Sequence, residues 1–196
     1  MANLDIRKGL VPVRHVNGNP YNGKFRVYYV PVTDGTALFI GDPVLWAGSA
    51  DTLGKYATIA QATTGSEILG AIVAMGNTPT LMADTSDLTR VYRPSSTALY
   101  IGVADDPDLI FEAQGDDDSE NIVADDVGST LDIIFTHAGN TATGMSGCEL
   151  DSSTGGQTND SCRLLGLVDR EDNVLGEFAK FEVLIVKHAM SSLTGV

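Results

Sequence analysis

The chain is punctuated too often for long helices. Its 196 residues include 21 glycines, and turn-forming residues gather in clusters such as Asn17-Gly18-Asn19-Pro20, Asn22-Gly23, Asp34-Gly35, Gly41-Asp42-Pro43, Asp105-Asp106-Pro107 and Ser152-Ser153-Thr154-Gly155-Gly156. Each supplies the positive-φ freedom, the fixed φ or the side-chain-to-backbone hydrogen bond that reverses a chain. Between the clusters lie short runs rich in Val, Ile, Tyr, Phe and Thr, and few windows sustain a 3.6-residue apolar period for three turns. The expected fold is therefore all-β. Ten strands are expected, at residues 24–32, 37–40, 55–60, 68–75, 89–93, 98–103, 109–114, 130–136, 162–168 and 181–187. That number suits an antiparallel β-sandwich or barrel, jelly-roll-like in outline.

Two runs carry more detail. Phe25-Arg26-Val27-Tyr28-Tyr29-Val30-Pro31 alternates in part, whereas Phe181-Glu182-Val183-Leu184-Ile185-Val186-Lys187 begins as alternation and ends as a continuous apolar run. The latter predicts a strand buried on both faces. Only residues 119–127 read as helical, a short turn capped by Ser119 with acids near its positive end.

Residues 24–196 are expected to form one sandwich or barrel domain with a long loop at 139–160, where Met145, Cys148 and Leu150 are the larger apolar side chains and Glu149 stands among them. A loop of that length inside a compact domain is usually functional or mobile. Residues 1–23 are expected to form an extended N-terminal arm, because apolar content before Phe25 is thin. The competing reading of this segment is an edge strand clasping its own sheet.

Charge is unevenly placed. The formal net charge is −14, yet the 69 residues between Arg93 and Arg163 hold 14 acids and no Lys or Arg, while the other 127 residues hold 12 of each sign. Residues 1–33 carry Arg7, Lys8, Arg14, Lys24 and Arg26 against Asp5 alone. The overall balance argues against nucleic-acid binding through a general basic field, which phosphate neutralisation requires, and against adsorption to an anionic membrane. No run approaches the length of an apolar membrane span. The first eight residues have no apolar h-region, so no secretory signal is expected and synthesis in a cytoplasm is. In that compartment Cys148 and Cys162, 14 positions apart, are expected to be reduced structural thiols.

Motifs for chemistry fail at their diagnostic positions. Thr143-Gly144-Met145-Ser146-Gly147 has a residue too few between Ser146 and its second glycine for a nucleophile elbow. The stretch from Gly48 to Tyr56 has five residues where a phosphate loop needs four, and Tyr56 cannot bind magnesium as Ser or Thr does. Gly65-Ser66-Glu67-Ile68-Leu69-Gly70 lacks the dinucleotide fingerprint. A calcium loop begun at Asp116 would need Gly at 121 and an acid at 127, where Asn121 and Val127 stand. A looser cation site from Asp105, Asp106, Asp108, Asp116 and Asp118 competes with a solvated acidic loop. His15, His137 and His188 have no second ligand at metal spacing. Asn159-Asp160-Ser161 matches a glycosylation sequon and, without a secretory signal, reads as chance.

From residue 101 onward an ordered set of short motifs stands out. Gly102-Val103-Ala104-Asp105-Asp106-Pro107-Asp108-Leu109-Ile110-Phe111-Glu112-Ala113-Gln114 is followed by Ala124-Asp125-Asp126-Val127-Gly128 and by Gly144-Met145-Ser146-Gly147-Cys148-Glu149-Leu150-Asp151-Ser152-Ser153. Leu164-Leu165-Gly166-Leu167-Val168-Asp169-Arg170-Glu171-Asp172-Asn173 and Ala179-Lys180-Phe181-Glu182-Val183-Leu184-Ile185-Val186-Lys187-His188 complete it. The series, about half the chain, resembles small head structural proteins of tailed bacteriophages. The resemblance implies a capsid cement or decoration protein with a β-rich fold, no enzyme activity, no catalytic residues, and no cofactor or metal. Its implied partners are the major capsid protein and further copies of itself, as dimer or trimer, on the exterior of a virion. The family has no motif-defined contact residues to carry over. The chain's own charge makes Arg7, Lys8, Arg14, Lys24 and Arg26 the candidate contacts to an acidic shell, with the region 105–132 facing solvent or a sister subunit. Two other classes fit the composition: a neck, tail or fibre-base component, and a carboxylate- or metal-dependent β-fold hydrolase.

Overall fold

A computed structural model describes residues 3–80, 91–116, 121–155 and 161–191. These form eleven strands and two one-turn 3₁₀ helices, an all-β fold arranged as two sheets. Strand β1 is Val11–His15, β2 Arg26–Val30, β3 Pro43–Ala50, β4 Ala57–Gln61, β5 Gly70–Gly76 and β6 Leu99–Ala104. The remainder are β7 Leu109–Gln114, β8 Thr130–Ile134, β9 Glu149–Asp151, β10 Cys162–Leu167 and β11 Lys180–Ile185.

The first sheet closes on itself in the order β2-β4-β3-β5-β6, with β6 returning to β2. All its pairings are antiparallel except β2 with β4, which meet in parallel at Tyr29 and Thr58. Alternate residues point inward: Tyr28 and Val30 from β2, and Leu99, Ile101 and Val103 from β6, meet Val44, Ile59 and Ile72 in one apolar cluster. Closure leaves no edge over the paired part of this barrel.

The second sheet runs β1-β7-β11-β10-β8-β9. It curls until Gly115, just past β7, bridges Leu150 of β9. Phe111, Leu131, Ile133, Leu150, Leu164, Phe181 and Val183 fill its interior together with Cys148 and Cys162. Ile68, Ala71 of β5 and Ala104 of β6 belong to this same cluster, so one apolar core runs from the second sheet onto the barrel, while a further cluster fills the barrel itself. Neither strand order is that of a jelly roll. Strand β11 keeps strict alternation, with Phe181, Val183 and Ile185 buried and Val186 exposed. The expectation of burial on both faces fails because the outward side chains of β11, at Lys180, Glu182 and Leu184, are only half-buried.

Backbone contacts at Leu10, Ile68 and Ile40 are among those that join the two sheets. Leu10 is buried and its N–H donates to the Gly41 carbonyl at 2.9 Å. Ile68 bridges His188 in parallel. Ile40 donates its N–H to Gly144 O and accepts from Ser146 N, both at 2.8 Å. Over its described part the loop expected at 139–160 is therefore not a free excursion: residues 144–151 are buried or half-buried and include β9, and Asp151 caps a second 3₁₀ turn, Ser152–Thr154, by accepting from Ser153 N at 3.0 Å. The expected helix at 119–127 shrinks to a 3₁₀ turn, Ala124–Asp126, and its Ser119 cap lies outside the described residues.

Candidate functional site

The N-terminal segment walls two clefts of about 530 Å3 each. Residues 3–9 run along the second sheet as a strap, held by side chains rather than by a ladder. Asn3 donates Nδ2 to Val174 O at 2.7 Å and accepts from Val174 N at 2.9 Å. Ile6 N donates to Gln114 Oε1 at 2.9 Å, and Gln114 Nε2 donates to Asp5 Oδ1 at 2.9 Å and Glu149 Oε1 at 3.0 Å. The segment then enters the fold as β1, antiparallel to β7. The extended arm expected at 1–23 is, over its described part, a strap and an edge strand on its own domain, because Leu10 has an apolar site to fill and β7 an unpaired edge.

One cleft opens where β1 ends, β2 begins and the β6–β7 turn passes. His15, Lys24, Phe25, Arg26, Asp105 and Met190 are among its walls. Asp105, on the floor, accepts from the Tyr28 hydroxyl at 2.6 Å and lies 3.3 Å from Arg26 Nη1. Burial, followed by the hydrogen bond to Asp105, raises the Tyr28 phenol far above its ordinary range. Asp106 lies 3.6 Å from His15 Nδ1 and accepts from Asp108 N at 2.9 Å.

The other cleft lies between the strap and the turn at 138–147, with Arg7 and Lys8 on one wall and Asn140, Thr143 and Ser146 on the other. Behind it Glu149 is fully buried, 3.0 Å from His137 Nδ1 and 3.8 Å from Arg7 Nε. Burial raises the Glu149 carboxyl, opposed by His137, Gln114 and Arg7. Arg7 also grips Asp5 with two hydrogen bonds and holds its carboxyl below the usual range. Asp42, nearby and buried, is pushed up to about 6 by desolvation, which hydrogen bonds from Ser146, Phe39 N and Gln61 only partly offset.

The five cations expected to form one contact surface are divided between these places. Arg7 pairs with Asp5 and Glu149, Arg14 reaches past β7 to Glu182 at 2.6 Å, and Arg26 pairs with Asp105. Lys8 and Lys24 line different clefts and have no carboxylate within 4 Å among the described residues. The basic N-terminus and the acidic middle of the chain are thus folded onto one another: Glu149 and Asp105 come from the stretch without Lys or Arg. No spacing pattern announces such pairs, since their partners are more than 75 positions apart in sequence.

The other chemical candidates disperse. Asp105, Asp106 and Asp108 lie before β7 and Asp116 beyond its far end, about 20 Å of strand away. Asp118 lies outside the described residues. Ser146 is a turn residue whose Oγ accepts from Cys148 N at 3.0 Å. His188 is buried, its Nδ1 accepts from Met190 N at 3.1 Å, and burial lowers its pKa. Cys148 and Cys162 are buried and form no disulfide, and desolvation raises the Cys148 thiol well above its ordinary value. Among the described residues no three of His, Cys, Asp and Glu gather in a way that could hold a metal ion, and no helix is long and apolar enough to cross a membrane. No protein-family model, curated protein or solved structure matches this chain.

Proposed function

We propose that the chain is a structural protein of a tailed-bacteriophage head that binds the outer surface of the major capsid shell and stabilises it as cement. The observation that carries this reading is the ordered motif series from residue 101 onward. Its placement supports it: the motifs at 102–114, 144–153, 164–173 and 179–188 take in β7, β9 and β11, most of β10 and half of β6. The motif residues that fall in strands lie mostly in the second sheet. A cement protein adds interface across subunit junctions, which asks for a stiff scaffold with accessible surface segments. Apolar contact supplies most of the affinity in such an interface, and charge sets register and capture rate.

In this reading the strap faces the shell. Leu4 and Ile6 are exposed on it, and Lys8 is its cation without a carboxylate within 4 Å among the described residues. Arg7 and Arg14 serve the fold instead. The protein is made in the host cytoplasm and resides on the capsid exterior.

Densitometry and mass spectrometry of purified particles test the reading. Hundreds of copies per head are expected; roughly a dozen would assign the chain to a neck, tail or fibre base, and absence from particles would overturn a virion role. Deleting residues 1–8, which spares buried Leu10, is expected to weaken binding to empty shells. Undiminished binding would remove the strap from the mechanism.

A further inference from the structure

The cleft beside Lys24 and a turn on the far side of β7 have complementary surfaces. Four features describe the cleft mouth. Lys24 is exposed and has no internal carboxylate partner among the described residues. Arg26 commits Nη1 to Asp105 and to Met190 Sδ and leaves the rest of a side chain 61% exposed to solvent. Phe25, 40% exposed, and Met190 supply apolar surface beside the two cations. Of the acids of the cleft, Asp105 is engaged by Tyr28 and Arg26, whereas Asp106, with half its side chain exposed, lies 3.6 Å from His15 Nδ1 and accepts from the Asp108 N–H. Lys24 is the cation at the mouth with no carboxylate within 4 Å among the described residues.

The turn is Ala124–Asp126 with its flanking valines. Val123 and Val127 are 52% and 45% exposed, and Asp125 stands exposed between them with no cation within 4 Å among the described residues. The turn is rigidly built. Asp126 Oδ2 accepts from Val123 N at 2.8 Å, and Gly128 N donates to Leu164 O at 2.9 Å. It thus presents a carboxylate between two apolar side chains without a large ordering cost on binding.

We propose that the turn at 123–127 of one copy docks in the Lys24–Arg26 cleft of another, its valines against Phe25 and Met190 and Asp125 against the cations. A cleft of about 530 Å3 has room for these three side chains. Cleft and turn are different surfaces, so the contact is head-to-tail, each copy giving its turn to one neighbour and its cleft to the next. The proposal needs only the isolated chain and stands apart from the virion reading.

Sedimentation of the purified full chain over the micromolar range tests it. The expected result is reversible association, weaker in about 500 mM than in about 50 mM salt. Lys24→Glu and Asp125→Lys, both at exposed positions, are each expected to lower the association constant about tenfold. Combining them in one chain reverses both sides of the pair and is expected to restore association. If Lys24→Glu disturbs the fold, Lys24→Gln with a loss of about threefold takes its place. A chain that stays monomeric throughout the range, or association that neither substitution alters, would overturn the proposal.

Discussion

Gly9 and Gly41 cross backbone against backbone where the strap enters the fold. Both have positive φ, +67° and +90°. A Cβ on Gly41 would sit 1.8 Å from Lys8 O, and one on Gly9 would sit 2.2 Å from Gly41 O. The approach is what lets Leu10 N reach the Gly41 carbonyl and seats Leu10 in the core. Gly41→Ala is therefore expected to cost about 3–5 kcal/mol, read as a lowered midpoint in urea. Gly54, at φ +66° with nothing within 4 Å of its Cβ position, is the control, and Gly54→Ala should cost about 1 kcal/mol.

Asp42 makes stability depend on pH near neutrality. Its folded pKa of about 6 lies above the ordinary 3.8, so the folded chain binds a proton more tightly than the unfolded one. Stability should rise as pH falls from about 7 to about 4, by about 2–3 kcal/mol in all and about 1.4 kcal/mol of it by pH 5, with Glu149 shifted in the same direction. Asp42→Asn keeps an acceptor for Phe39 N and Gln61 and should flatten this window. Urea unfolding at several pH values measures it; a wild-type curve that falls with acidification over that range would contradict the assignment.

Arg93 is fully buried and fastens two loops of the first barrel. Nε donates to Thr97 O at 2.6 Å, Nη2 to Pro31 O and Asp34 O at 3.0 Å each, and Nη1 to Thr36 O and, at 3.5 Å, Asp34 Oδ1. A lysine ammonium cannot serve so many carbonyls in one plane. Arg93→Lys is expected to cost about 3 kcal/mol, visible in the fluorescence of Trp46, the single tryptophan, which packs against the same barrel core.

Arg14 and Lys8 should separate structure from shell contact. The Arg14–Glu182 pair is partly exposed, at 38% and 26% of the two side chains, so Arg14→Ala should cost no more than about 1 kcal/mol and leave shell binding unchanged. Lys8→Glu should leave thermal unfolding nearly unchanged while slowing capture by shells at low salt. Equal effects of the two substitutions on capture would argue against a shell contact through the strap.

The strands that local pattern could reveal were legible. Strand β7 occupies residues 109–114 as expected, β6 and β10 lie within one residue of expectation, and the runs expected at 37–40 and 89–93 show, over their described residues, only isolated bridges at Leu38, Ile40 and Arg93. Three strands were not legible. Val11–His15 contains a proline and is held as an edge by β7. Pro43–Ala50 is hidden behind a turn signal and ends in Ala47-Gly48-Ser49-Ala50. Glu149–Asp151 has two acids in three residues and is a strand only because β8 and Gly115 pair with it.

The sequence by itself determined that this chain is β, because turn chemistry and the two-residue period of a strand are local and survive without knowledge of the partner strand. The placement of its cations was decided by tertiary structure alone. In the linear chain, Arg7, Arg14 and Arg26 read as a basic arm opposed to an acidic middle. In the fold, strand pairing brings Glu149, Glu182 and Asp105 to them across more than 75 positions, and a charge that leaves water beside an opposite charge is neutralised where it stands. What remains for a partner is Lys8 beside the strap and Lys24, with the exposed side of Arg26, beside the cleft.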